Sequence, residues 1–275
     1  MRKIFLALLL IGFSFALGYT FFQVNPNNRQ IIEKPSFSES KKSMLRFALV
    51  ADSHSDNQNL EKALMQAQGF GINFVIGLGD WSTVGTQEEL EAAKKVFEQA
   101  KIPYFVTSGD HDLWDSRNRG KEEIVNFKTV FKNPNKELEE NDIQIVIVDN
   151  SDIYKGILPN SWQFLVDSLK KTPKLRFVMA HKTPFHPDSK HVMGEDNGDV
   201  AKQAQSFLQL LVQNKVDGFF SGDLHFFAQF KDPTETVKIT TVGAVTREKN
   251  FQGPRFAIVT VFDDYSWKVE DIEIR

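Results

Sequence analysis

Arg46-Phe47-Ala48-Leu49-Val50-Ala51-Asp52-Ser53-His54 decides the fold, because a short strand-like run ends abruptly in three polar residues. The first six residues have the length and apolar character of a buried β-strand, and the last three read as the turn beyond its carboxyl end. The same unit recurs four times. Asn73 to Leu78 runs into Gly79-Asp80, and Pro103 to Thr107 into Gly109-Asp110-His111-Asp112. Arg176 to Ala180 delivers His181, and Gly218 to Ser221 leads to Gly222-Asp223-Leu224-His225. A strand ending in Gly-Asp is by itself commonly a turn. Five such endings in one order form a joint pattern. They place Asp and His, ligand types of a hydrolytic metal centre, where an open α/β sheet assembles sites at its carboxyl edge.

Helical patterns separate these units. Leu60, Leu64 and Ala67 share one face of Asn59 to Gln68, and Leu90, Ala93 and Phe97 share one face of Gln87 to Gln99. Helices are also expected over Glu122 to Phe131, from a Ser161 cap to Leu169, and over Val200 to Asn214. Ile143 to Val148 is mostly apolar and β-branched, as in a strand covered on both faces. Phe226 to Phe230, Lys238 to Val242, Phe256 to Phe262 and Trp267 to Ile274 close the chain as strands of mostly antiparallel character. No solenoid-type repeat is present. The expected organisation is one α/β domain over residues 45–275.

Composition narrows the function. The 275 residues are 41% hydrophobic and 25% charged, enough apolar material for one large core. A net charge of −3 gives no general attraction to nucleic acid, so an anionic substrate needs a local positive site. Cysteine is absent, which removes disulfides, zinc-thiolate sites and a thiol nucleophile. At the start, Met1-Arg2-Lys3 precedes Ile4 to Phe22, a run without charge. That is close to the ~20 apolar residues of a membrane span, and the positive-inside tendency directs the rest of the chain outward. A cleaved signal peptide is the rival, with Ser14-Phe15-Ala16 as a small-x-small site. Residues 23–44 are rich in Asn, Gln, Ser, Lys and Pro and read as a flexible tether.

The motif order resembles that of the calcineurin-like metallophosphoesterase family, whose pattern is Asp-x-His, Gly-Asp, Gly-Asn-His-(Asp/Glu), His and Gly-His-x-His. The resemblance covers the chain from Arg46 to the C-terminus. It implies an α/β fold of two layered β-sheets flanked by helices, the αββα sandwich, preceded here by the N-terminal apolar helix. It implies that Asp52, His54 and His225 bind a first metal ion, that Asp80 bridges two, and that His181 binds the second. Asp110 stands at the family's Asn, and Asp223 at the first His of the last motif. Both can still offer oxygen to a hard cation. His111 resembles the residue that contacts the phosphoryl group and protonates the leaving oxygen. Asp112 beside it is expected to orient that imidazole and raise its pKa.

The chemistry agrees with the residue types. Two cations ~3.5–4 Å apart can share a hydroxide and grip phosphoryl oxygens. The resemblance therefore implies hydrolysis of a phosphate mono- or diester, outside the membrane, with two divalent metal ions. The Asp110 and Asp223 departures double the metal-bound carboxylates. Against two dications, the ligand-set charge falls from about +2 to about zero. Oxygen-rich ligation favours Mn, Fe or Mg over Zn at the second position. The alternative is a catalytically degenerate metal-binding or interaction domain of the same fold. His186 and His191 lie outside the pattern and are expected in a solvated loop, with substrate contact as the alternative, while Trp81, Trp114, Phe185 and Phe226 adjoin the motifs as core, rim or stacking groups.

Overall fold

The computed structural model describes residues 41–275. The apolar segment expected over residues 4–22, and nearly all of the expected tether, lie outside the described residues. β1 spans Ser43–Val50, so Ser43 and Met44 belong to this strand rather than to the tether. β1 feeds two hydrophobic layers by alternation. Leu45, Phe47 and Leu49 point into one buried cluster, and Ala48 and Val50 into another.

β1 lies in a five-stranded sheet of order β11-β10-β1-β2-β3. Its partners are β2 (Phe74–Gly77), β3 (Tyr104–Val106), β10 (Arg255–Phe262) and β11 (Trp267–Glu273). β1, β2 and β3 run parallel, and β10 pairs antiparallel with both β1 and β11. A six-stranded sheet has the order β4-β5-β6-β7-β9-β8. It contains β4 (Lys136–Glu140), β5 (Ile143–Ile147), β6 (Leu175–Met179), β7 (Gly218–Ser221), β8 (Ala228–Lys231) and β9 (Lys238–Thr241). β5, β6, β7 and β9 are parallel, with antiparallel β4 and β8 at the edges.

The inner faces share one core. Phe47, Leu49, Ile76, Val259 and Ala257 of the first sheet meet Ile145, Ile147, Phe177, Met179 and Phe220 of the second. Burying each large apolar side chain contributes ~1.5–3 kcal/mol relative to exposure. Helices cover the outer faces. α1 (Asn57–Gln68), α2 (Gln87–Ala100) and α4 (Val125–Phe131) pack on the first sheet, after the short α3 (Trp114–Asn118). α5 (Pro159–Ser168) and α6 (Gly198–Gln213) pack on the second. This is the mixed α/β arrangement expected, with two sheets flanked by helices.

Local chemistry sets the helix starts. Asp56 accepts from the Asn59 N–H, Thr86 and Glu89 form a capping box, and Asn197 accepts from the Asp199 and Val200 N–H groups. Ser161 is not a cap. α5 begins at Pro159, whose fixed φ suits the first helical position, and Ser161 lies within the first turn. β4 escapes the sequence pattern because Lys-Glu-Leu-Glu-Glu is an edge strand, where charge rather than alternation protects the open side.

The five motifs all leave the carboxyl ends of parallel strands: β1, β2 and β3 in one sheet, β6 and β7 in the other. Phe177 is fully buried between the sheets, with ring centroids 6.2 Å from Phe47, 5.4 Å from Phe220 and 5.2 Å from Trp267. Phe177→Ala should therefore destabilise the domain by ~3–5 kcal/mol, the usual cost of a large aromatic cavity. Denaturant unfolding checks this, and a loss below about 0.5 kcal/mol, the scale of a surface substitution, would contradict the shared core.

Candidate metal centre

Hydrogen bonds lock the five loops across both sheets. The Asp52 N–H donates to Gly79 O at 3.0 Å, and the His54 N–H to Asp80 O at 2.9 Å. The Gly222 N–H donates to His181 O at 3.0 Å. Between the sheets, the Asp223 N–H points at the Asp52 carboxylate, 3.1 and 3.2 Å from its oxygens. Such tight turns force strained backbone. Asp52, His54, Asp80, Asp223 and His225 all have positive φ, between +43° and +68°. Non-glycine residues in this region cost ~1–3 kcal/mol each and cluster at functional sites. Gly109 is needed for a different reason: a Cβ there would fall 2.0 Å from Asp80 Oδ1.

Asp80 is the centre of the arrangement. Its Oδ1 accepts from the His111 N–H at 3.0 Å. Its Oδ2 lies 3.5 Å from His54 Nε2 and 3.6 Å from His181 Nε2. One carboxylate oxygen thus faces an imidazole from each sheet. On the first side, His225 Nδ1 meets Glu248 O at 2.9 Å, which leaves its Nε2 lone pair 3.1 Å from His54 Nε2. Asp52, His54 and His225 form a candidate ligand group. On the second side, His181 Nδ1 meets Leu78 O at 2.8 Å and aims Nε2 inward. That Nε2 is 3.4 Å from Asp110 Oδ1 and 3.7 Å from Asp223 Oδ1.

These spacings fit a divalent cation on each side. Two atoms each ~2.0–2.2 Å from a common ion stand roughly 3.0–3.7 Å apart. Among the described residues, His181 Nε2 and Asp223 Oδ2 are also buried atoms without a hydrogen-bond partner. A buried lone pair with no donor is costly, and a cation satisfies it. The structure therefore brings Asp52, His54, Asp80, Asp110, His181, Asp223 and His225 together at one edge.

Titration behaviour follows from this crowding. Burial pushes the Asp52 carboxyl up, and burial with the neighbouring Asp110, Asp112 and Asp52 carboxylates pushes Asp80 well up. Burial opposes charge on His181, yet the carboxylates of Asp80, Asp110, Asp223 and Asp52 hold it well above the ordinary imidazole value. His54 goes the other way: burial and the neighbouring histidines lower it to about 3, keeping it neutral and able to ligate.

Two residues enter that sequence reasoning missed. Lys182 follows His181, is buried, and places Nζ 2.5 Å from Asp223 Oδ1 and 3.0 Å from Asp110 Oδ1. Burial opposes its charge, but those two carboxylates hold the ammonium well above the ordinary lysine value. The signal was available, because two extra buried carboxylates require a counter-charge. His191 lies exposed in a loop, as expected, and from there brings Nε2 to 3.4 Å from Asp223 Oδ1. His186 does remain outside, packed against Phe226 and Phe230.

Asp112 requires a correction. Its carboxylate does not orient the His111 ring. It is fully buried and accepts from the N–H groups of Asp80, Trp81, Ser82 and Gly109 and from Ser82 Oγ, at 2.6–3.1 Å. It positions the Asp80 turn. His111 is oriented by Thr83 O, 2.8 Å from Nδ1, and by stacking on Trp114 at 3.8 Å between centroids. Burial lowers the His111 pKa rather than raising it. Trp81 is core, with its indole N–H donating to Thr107 O.

The model of the calcineurin-like phosphoesterase family matches residues 45–227. The chain belongs to that family. Solved structures share the fold. Purple acid phosphatase PPD1 from yellow lupin (Lupinus luteus) seeds superimposes with a TM-score of 0.61 at 13% identity, over 85% of this chain and 52% of that one. The present chain thus spans about half of the lupin enzyme. GAP50, described as the anchor in the inner membrane complex of Plasmodium, gives 0.57 at 16% identity, over 85% of this chain and 90% of that one. TT1561 of Thermus thermophilus gives 0.54 at 11% identity, over 86% of this chain and 100% of that one. Among curated proteins, none matches the sequence significantly. Family membership makes this Asp/His cluster a candidate divalent-metal site in a phosphoesterase-type hydrolase.

Because Asp80 and His181 are both shifted toward their protonated forms, metal binding should displace protons. Calorimetric titration of metal-free protein with Mn²⁺ near neutral pH should give a heat that varies with the buffer's ionisation enthalpy. Affinity should fall as pH falls. A buffer-independent heat would contradict the assignment.

Proposed function

We propose that the protein hydrolyses a phosphate mono- or diester with two divalent metal ions, on the outer side of a membrane. The observation that carries this reading is Asp80 Oδ2 placed between His54 Nε2 and His181 Nε2, at 3.5 and 3.6 Å. Asp52, His54, Asp80 and His225 would hold the first ion, and Asp80, Asp110, His181 and Asp223 the second. When bound, the ions supply a water acidified toward neutral pH and a grip on the phosphoryl oxygens.

The chain's own residues do the rest. Asp80 is clamped by the Asp112-bound turn and by the His111 N–H, so its shared oxygen is fixed before substrate arrives. His111 sits beside His54, with ring centroids 4.4 Å apart, and its Nδ1 is engaged by Thr83 O. Its Nε2 is then the atom available to the phosphoryl group or the leaving oxygen. Mn²⁺, Fe or Mg²⁺ suits the oxygen-rich second position better than Zn²⁺.

The outward location is supported by Arg2 and Lys3 preceding the uncharged residues 4–22. Among the described residues, no helix is long and apolar enough to cross a membrane. Tethering would favour a lipid-linked or cell-wall phosphate by proximity. Protease accessibility of the C-terminus from outside the cell tests the orientation.

Two variants test the assignments. Asp80→Ala should lose both metal ions and all turnover, because it removes the shared ligand, and retention of both ions would refute the bridge. His111→Asn should keep metal content while lowering turnover by ~10²–10⁴-fold. The loss should be larger for alkyl than for nitrophenyl phosphates, since the poorer leaving group needs the proton. Hydrolysis assays paired with elemental analysis read both, and metal loss in His111→Asn would make His111 a ligand instead.

A further inference from the structure

The two metal positions differ in one respect. Around the first, among the described residues, no lysine or arginine nitrogen comes within 4.0 Å of Asp52 or Asp80. At the second, the Lys182 ammonium already holds Asp110 Oδ1 and Asp223 Oδ1. These are the same oxygens that face His181 Nε2 at 3.4 and 3.7 Å. A dication that enters there lies beside an ammonium and competes with it for these two oxygens, leaving Asp223 Oδ2 as the one buried oxygen of that carboxylate without a partner among the described residues.

Lys182 is built into this position. Asn150 brackets its backbone, accepting from the Lys182 N–H at 2.9 Å and donating its side-chain N–H to Lys182 O at 2.7 Å. Its side chain is only 8% exposed, so the ammonium has few other partners within reach. The amide and imidazole of the family pattern at positions 110 and 223 would offer that ammonium no negative charge. Carboxylates do, so the two departures and Lys182 make sense as one device.

We propose that Lys182 is a built-in competitor for the second cation position, which therefore binds a divalent metal more weakly than the first. The inference rests on the metal-site reading given above. The first position, with Asp52, His54, Asp80 and His225, fills permanently. The second fills only at higher free metal, which makes its occupancy responsive to the metal supply. His191, 3.4 Å from Asp223 Oδ1 on the open side, crowds the same oxygen further.

The test counts bound ions rather than activity. Metal-free full-length protein is dialysed against graded Mn²⁺ and analysed for bound metal. One ion should bind tightly and a second at least about tenfold more weakly, a ratio that dication–ammonium repulsion across a few ångströms supplies even at the dielectric of water. Lys182→Met should bring the second affinity up by at least about tenfold on the same argument. That variant leaves two carboxylates facing each other, so its fold is checked by circular dichroism. Lys182→Met/Asp110→Asn/Asp223→His, with neutral ligands and no buried ammonium, provides a second arm and should also bind two ions tightly. Equal affinities in the wild type would overturn the proposal while leaving the metal centre intact. A second site that stays weak in the folded variants would overturn it as well. Failure of the wild type to bind any Mn²⁺ would overturn the metal reading and the proposal with it.

Discussion

Four aspartate carboxylates buried where the carboxyl ends of strands from both sheets meet repel one another, and the surrounding structure is arranged to supply the donors and positive charge they require. They fall into two kinds. Asp52 and Asp80 have no lysine or arginine within 4.0 Å among the described residues, and burial drives both toward protonation. Burial acts on Asp110 and Asp223 in the same direction, yet the Lys182 ammonium overrides it and holds both below the ordinary carboxylate range. The difference is a lysine ammonium on one side and its lack on the other.

Rigidity is what lets such a cluster persist. The carboxylates sit on turns with left-handed backbone at Asp52, Asp80 and Asp223, conformations that a lone loop would relax. Three constraints prevent relaxation. The turns start from short parallel strands, most of them buried on both faces; the Asp112 carboxylate gathers four backbone N–H groups around the Asp80 turn; and the Asp223 N–H crosses from one sheet to Asp52 in the other. The core between the sheets and the polar edge are thus mechanically one object. Separation of the sheets at Phe177 would also separate His181 from Asp80.

Much of this architecture could be read along the chain. The short apolar run of Arg46 to Ala51 and one-sided helical faces such as Leu90, Ala93 and Phe97 are local signals, and they identify elements correctly. Motif order located the seven Asp and His residues that the fold gathers. Local reading failed where the controlling interaction was not local. β4 is a charged edge strand without alternation, recognisable only from its pairing with β5. Asp112 looked like a partner for its neighbour His111, but in a 3₁₀ turn adjacent residues point apart, and most of its partners lie about thirty residues upstream.

The sequence by itself determined the elements, their α/β alternation, and the local motifs that carry Asp52, His54, Asp80, His111, His181 and His225, whose family-type order implied the layered sandwich only by resemblance. Those properties depend on side chains within a few positions of each other, where hydrophobic period and turn chemistry act directly. Only the tertiary structure decided that Asp80 offers one oxygen to histidines of both sheets, that Asp112 holds a turn, and that Lys182 neutralises Asp110 and Asp223. Each of these depends on distances between groups about 30 to 100 residues apart, and Coulomb energy and hydrogen-bond geometry are set by separation in space rather than along the chain.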